Sequence, residues 1–178
     1  MTAHRAARVL IDAFDRIREL VAQNATGLSP EVLSARLDGG SNSISWLLWH
    51  LTRIQDDHVS ELAGSEQIWT AEGWFDRFGL PFDAADTGFG HTAREVGVVC
   101  VDSADLLTGY HDAVHAMTVE YLSSVTDSDF DRIVDESWDP PVSLASRLVS
   151  VVGDDLQHAG QAAFLRGVWE RDPARASS

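Results

Sequence analysis

Ser43-Ile44-Ser45-Trp46-Leu47-Leu48-Trp49-His50-Leu51-Thr52-Arg53 is the stretch on which the reading of this chain turns. Ser43 is a good helix N-cap, and behind it Ile44, Leu47, Leu48, Leu51, Ile54 and Leu62 recur at helical spacing until Gly64. Recurrence at three- and four-residue steps marks one face of an α-helix, because about 3.6 residues complete a turn. The same spacing puts Trp46, His50, Arg53 and Asp57 on a second line beside the apolar one. Ionisable groups next to a core face point inward or along a groove, where they are costly unless paired or metal-bound.

Outward from that helix the pattern repeats. Val9, Leu10, Ala13, Phe14, Ile17, Leu20 and Val21 predict a first long helix over about residues 3–22. A turn at Thr26-Gly27 and a start signal at Ser29-Pro30-Glu31 open a short helical segment that stops at Asp38-Gly39-Gly40. The second long helix ends near Ala63, and a third is predicted from about Ser103 to Ser124, with Leu106, Leu107, Tyr110, Val114, Met117 and Tyr121 on one side. The polar turn Thr126-Asp127-Ser128-Asp129 closes it, Pro140-Pro141 interrupt the next segment, and Ser143 caps a fourth helix reaching about Glu170. Between Gly64 and Val101 the periodicity weakens and Trp69, Trp74, Phe75, Phe78, Phe82 and Phe89 mix with Gly and Pro. Structureless loops of that length are rare in compact domains, so this region reads as a packed crossover with short helical pieces.

Strand signals are nearly absent. Four long amphipathic helices predict an all-α four-helix bundle, one domain over residues 1–171 with a disordered tail at 172–178. Short links favour antiparallel pairing of the first helix with the second and of the third with the fourth. The long crossover lets the second and third run parallel.

Composition narrows the function. A 178-residue chain with 44% hydrophobic and 23% charged residues fits one globular domain. Thirteen basic residues against 28 acidic ones leave a net charge of −15, which repels a phosphate backbone and disfavours anionic membranes. No apolar run reaches the roughly 20 residues of a membrane span. The start Met1-Thr2-Ala3-His4-Arg5 leads into an amphipathic pattern and not an apolar signal core, so a cytoplasmic protein is expected. The single cysteine, Cys100, excludes an internal disulfide, a CxxC pair and a thiolate zinc site. In the run Val98-Val99-Cys100-Val101 it reads as a small buried hydrophobe. Every basic residue is Arg, and Asn occurs only at Asn24 and Asn42, a bias that points to a GC-rich genome.

Any metal must therefore use His and carboxylates. On the fourth helix Asp154, His158 and Gln161 form a line continued by Val151 and Leu165, matching the line on the second helix. Together His50, Asp154 and His158 make a candidate three-ligand site, since helix bundles hold metals with inward His and carboxylates at such spacing. Spacing leaves two alternatives open: the pair His111 and His115 is geometrically equivalent, and Asp155 competes with Asp154. Trp46, Arg53, Asp57 and Gln161 are candidate pocket residues, Trp46 as a wall of the site. For Arg53 and Asp57 an i,i+4 ion pair is the simpler account. No GxSxG, P-loop, GxGxxG or HExxH motif is present.

The stretch Ser43–Arg53, with the distant Asp154-Asp155-Leu156-Gln157-His158-Ala159-Gly160-Gln161, resembles the DinB-like superfamily, which includes the metal domain of mycothiol-dependent maleylpyruvate isomerase. The resemblance spans essentially the whole chain as a pattern. It implies an up-down-down-up bundle, frequent homodimers, and a divalent metal held at the positions of His50, Asp154 and His158. An Asp stands where isomerase-like members have a longer Glu or His. That isomerase continues into a further C-terminal domain, so its own activity is not expected here. Two His and one carboxylate leave coordination positions open, the arrangement of a catalytic metal. The expectation is a Zn-dependent transferase, with Ni, Fe or Mn as other metals, that activates a low-molecular-weight thiol such as mycothiol for attack on an electrophile. A metal-dependent hydrolase using Asp57 or Asp155 as proton acceptor, an iron oxygenase, and a non-catalytic metal-binding stress protein are the alternatives.

Overall fold

The computed structural model describes residues 4–172. The predicted first residue of helix one and the expected tail from residue 173 onward lie outside the described residues. Four long helices dominate: α1 (Arg5–Ala25), α3 (Ile44–Ala63), α7 (Ala104–Ser124) and α8 (Leu144–Arg171). Between α1 and α3 lies α2 (Pro30–Ser34), and the crossover carries α4 (Ile68–Ala71), α5 (Trp74–Phe78) and α6 (Ala93–Val96). A 3-10 turn at Asp127–Asp131 and a two-stranded antiparallel ladder, β1 (Ile133–Asp135) with β2 (Val142–Ser143), join α7 to α8.

The helix boundaries follow local chemistry. Ser43 Oγ accepts the Trp46 N–H at 3.1 Å and starts α3, and Gly64 in the left-handed region (φ 66°) ends it at a conformation that side chains resist. Ser143 caps α8 in the same way. Helix α1 runs three residues past its predicted end because Asn24 turns inward and donates to the Ala159 carbonyl at 2.9 Å, which draws Ala25 into the core. Ile54 and Leu62, expected in the core stripe, are only half-buried.

Cross-links give the helix directions. Arg18 meets Asp112 and Asp15 meets His115, so α1 and α7 run antiparallel. Thr52 meets His111 and Gln55 meets Thr118, so α3 and α7 run parallel, as the crossover permits. Arg166 of α8 reaches the carbonyls of Gln23 and Thr26 at the C-terminal end of α1, which sets α8 alongside α1. The order is up, down, down, up. One expectation needs correction: the first long helix is not paired with the second, nor the third with the fourth. Helix α1 packs on α7 and α8, and α3 packs on the same two, so α1 and α3 are essentially diagonal. The crossover is long enough to bring α7 between them.

The crossover is bolted to α3 by two fully buried charges. Arg53 donates to Gln67 Oε1, the Tyr110 hydroxyl and the carbonyls of Ala84 and Asp86, and its guanidinium lies 5.0 Å from the Trp69 ring centroid. Asp56 accepts the Ile68 and Trp69 N–H groups at the start of α4 and the Tyr110 hydroxyl at 2.7 Å. Buried charges persist only when satisfied this fully. Trp69 then packs against Trp49, Phe75, Phe78 and Tyr110. Among the described residues no helix is long and apolar enough to cross a membrane.

Candidate metal centre

Facing positions on α3 and α8 bring three donors together. One ligand atom each from His50, Asp154 and His158 lies within 4.8 Å of the others, and among the described residues no other group of three such side chains converges in this way. The two imidazole centroids are 4.8 Å apart with planes at 70°. His50 is buried; His158 and Asp154 keep 17% and 36% of their side chains exposed, which leaves an approach from solvent.

Both imidazoles are oriented by a carbonyl. His50 Nδ1 lies 2.6 Å from the Thr87 oxygen, and His158 Nδ1 lies 2.9 Å from the Asp154 oxygen one turn earlier. A carbonyl only accepts, so each Nδ1 carries the hydrogen and each Nε2 lone pair is left free, the arrangement of metal-binding histidines. Asp154 Oδ2 is buried without a hydrogen-bond partner. It sits 3.3 Å from His158 Nδ1, but that N–H is already committed to the Asp154 carbonyl. An orphaned carboxylate oxygen beside two free imidazole lone pairs fits a divalent cation.

The two imidazoles sit in different fields. Burial lowers the His50 pKa below the ordinary histidine value. At His158 burial acts the same way, but the Asp154 carboxylate 3.3 Å away and the Asp154 carbonyl outweigh that and raise it. Burial would raise the Asp154 carboxyl; His158, with His50 and His58 nearby, holds it below the usual range.

Trp46 walls the cluster, its ring stacked on His50 at 4.6 Å and 15° and 6.1 Å from His158. Its Nε1–H donates to His91 Nδ1 at 3.1 Å, which forces the His91 proton onto Nε2, facing the Asp86 carboxylate at 3.0 Å. Gly88 holds the crossover against this wall. Its φ is +88°, and a Cβ there would fall 2.8 Å from Trp49 Cζ3 and 3.0 Å from His50 Nδ1. Thr87, Gly88, Asp86 and His91 escaped sequence reasoning because they lie in an aperiodic segment; the glycines around Phe89 were the one signal there. His58 was also missed. It is close enough to Asp154 to influence its ionisation, and its Nδ1 is buried without a partner.

Several expectations change. Arg53 is not paired with Asp57: it lies 3.6 Å from Asp56, and Asp57 instead accepts the Gln67 amide at 2.7 Å. All of its polar contacts go to the crossover, Tyr110 and Asp56, so Arg53 fastens structure and does not line a pocket at the cluster. Gln161 is exposed, at the edge of a neighbouring groove. Asp155 is fully buried with both oxygens unpartnered, and burial raises its pKa well above the carboxylate range. Asp154 is the carboxylate in the cluster. Neither Asp57, which is engaged by Gln67, nor the fully buried Asp155 joins the cluster. Among the described residues His111 and His115 join no group of three such side chains. Cys100 is exposed, contrary to the buried reading, because Val99 and Val101 on either side of it take the inward positions.

Comparison with known proteins gives a consistent picture. The family model of the DinB superfamily matches residues 13–162. A solved structure described as the conserved protein of locus from Enterococcus faecalis superposes with a TM-score of 0.85 at 29% identity, covering 92% of this chain and 96% of that one. No curated protein matches the chain.

Proposed function

This chain belongs to the DinB superfamily, and from that premise we propose a divalent-metal-dependent transferase that activates a low-molecular-weight thiol for attack on an electrophile. The observation that carries the reading is the convergence of His50, Asp154 and His158 with both Nδ1 atoms committed and Asp154 Oδ2 unpartnered. Three protein ligands leave positions for an exogenous group. When bound, a cation such as Zn²⁺ supplies the Lewis acidity that lowers a thiol pKa from about 8.5 toward neutrality.

The residues of the chain do the rest. Thr87 and the Asp154 main chain orient His50 and His158 through their Nδ1 atoms. Trp46 covers one side of the cluster and excludes water there. The thiol releases its proton to solvent at the open side of the cluster, its sulfur forms a C–S bond to the electrophile, and the leaving group departs with the electron pair of the broken bond. No protein cysteine takes part, in keeping with Cys100 lying outside the cluster. Mycothiol is the first thiol to test, on the GC-rich codon bias alone.

The test incubates Zn-loaded protein with 1-chloro-2,4-dinitrobenzene, with and without thiol, beside His50→Ala. Thiol-dependent turnover lost in the variant supports the transferase. Turnover of ester or amide substrates that needs metal and ignores thiol replaces it with a hydrolase, and metal uptake without turnover on a broad panel replaces it with a binding protein.

A further inference from the structure

We infer that the groove lined by Leu47, Gly160, Gln161, Phe164 and Leu165 binds a neutral apolar arm, aryl or short alkyl, of the small molecule whose polar head meets His50, Asp154 and His158. The inference rests on the metal-centre reading and adds the substrate class. Three observations carry it.

The first is position. Leu47 stands three residues before His50 on α3, and Gly160 and Gln161 stand two and three residues after His158 on α8. Gln161 and Leu165 continue the Asp154–His158 line of α8 one and two turns on, and at about 1.5 Å of axial rise per residue Leu47 and Gln161 lie roughly 4–5 Å along their helices from His50 and His158, a separation one small molecule can span.

The second is chemistry. The cavity holds about 330 Å³, and its lining is apolar apart from Ser41, Asn42 and the Gln161 amide. No charged side chain lines it, on a chain of net charge −15. A charged arm would find no counter-charge there. A dry apolar cavity of roughly 150 Å³ suffices for benzene, so this one takes a ring and a short linker.

The third is Gly160. It lies inside α8 with nothing within 4 Å of where its Cβ would be, so neither backbone nor packing requires glycine. Glycine weakens a helix interior relative to alanine. The missing side chain leaves the groove open between buried Leu47 and Leu165 and the Phe164 ring, which is 63% exposed.

The experiment loads the protein with Co²⁺, verifies uptake, and titrates acetohydroxamate and 3-phenylpropionohydroxamate while reading the visible cobalt spectrum. The phenyl probe is expected to bind at least 10-fold more tightly. Gly160→Leu, whose Cβ would meet nothing within 4 Å, is expected to plug the groove and erase that preference while leaving acetohydroxamate within about twofold; Phe164→Ser should reduce it partially. Equal affinities in the unmodified protein, or a preference that survives Gly160→Leu, overturn the groove and leave the metal centre standing. Absence of cobalt uptake overturns the metal centre and the inference with it. Sedimentation velocity supplies the last outcome: a dimer that Gly160→Leu and Phe164→Ser both dissociate means that a second copy's Phe164 fills the groove, which also overturns it.

Discussion

The α3–α8 seam and the α7 helix each carry two histidines near aspartates, yet the tertiary structure leaves them in opposite states. On the seam, His50 and His158 turn their Nδ1–H groups to carbonyls and leave free lone pairs converging with Asp154. On α7, His111 Nδ1 meets Thr52 Oγ1 at 3.1 Å while its Nε2 is buried alone, and His115 is taken by Asp15 at 2.7 Å. The Thr52 hydroxyl already donates to the Leu48 carbonyl, so it accepts from His111. Burial then keeps His111 neutral, with a pKa of about 3. A metal site needs converging lone pairs, and i,i+4 spacing is only its first condition.

The sharpest way to break this contrast is to remove one histidine from each side. His158→Ala is expected to weaken Zn²⁺ or Co²⁺ binding at least about 100-fold, since loss of even a supporting partner costs roughly 10- to 100-fold. His115→Ala should leave it unchanged. Equilibrium dialysis with metal analysis reads both, and metal content that follows His115 would reverse the assignment.

Next in size is Gly88→Ala, which sharpens the role of the crossover on the seam side. A left-handed alanine crowding Trp49 and His50 is expected to cost about 2–4 kcal/mol, strain and overpacking together. Urea denaturation measures it, and the same variant should bind metal more weakly because His50 is displaced.

Metal itself should then stabilise one region more than the other. At 100 times Kd a single bound ion adds about 2.7 kcal/mol to the folded state. Amide exchange is expected to slow on α3 and α8 around the cluster beyond any change at the α1–α7 contact; uniform slowing would indicate only global stabilisation.

The smallest effect concerns the other side. Because the folded His111 pKa is depressed to about 3, the unfolded chain takes up a proton on this residue below about pH 6.5 and the folded chain does not. This residue therefore costs stability as pH falls through that window, by about 1.4 kcal/mol per pH unit. His111→Leu should flatten the stability–pH slope by one proton between about pH 6 and 4, measured by denaturation at each pH.

Much of this was legible in the chain. The stripe after Ser43, its stop at Gly64, the cap at Ser143 and the packed crossover are local or compositional signals, and each predicted its element. Arg53 and Asp57 were misread because i,i+4 spacing names the nearest partner on the same helix, whereas the tertiary structure offers Arg53 the Gln67 amide, the Tyr110 hydroxyl and two crossover carbonyls, and offers Asp57 the Gln67 amide. Cys100 was misread because an apolar run does not say which of its residues turns outward.

The sequence by itself determined an all-helical bundle, the absence of a thiolate site, and the two lines of polar residues from which a site had to come. Those are matters of period and composition, which the backbone geometry of a helix converts directly into faces. Which line meets which was decided only by the tertiary structure. The choice of Asp154 over Asp155, the separation of His111 and His115 from any cluster, and the placement of Thr87, Gly88 and His91 around His50 depend on helix rotation and on how a 40-residue-scale crossover folds back. Adjacent residues on a helix point about 100° apart, so a rotation of that size exchanges a core carboxyl for a ligand, and only packing against the other helices sets it.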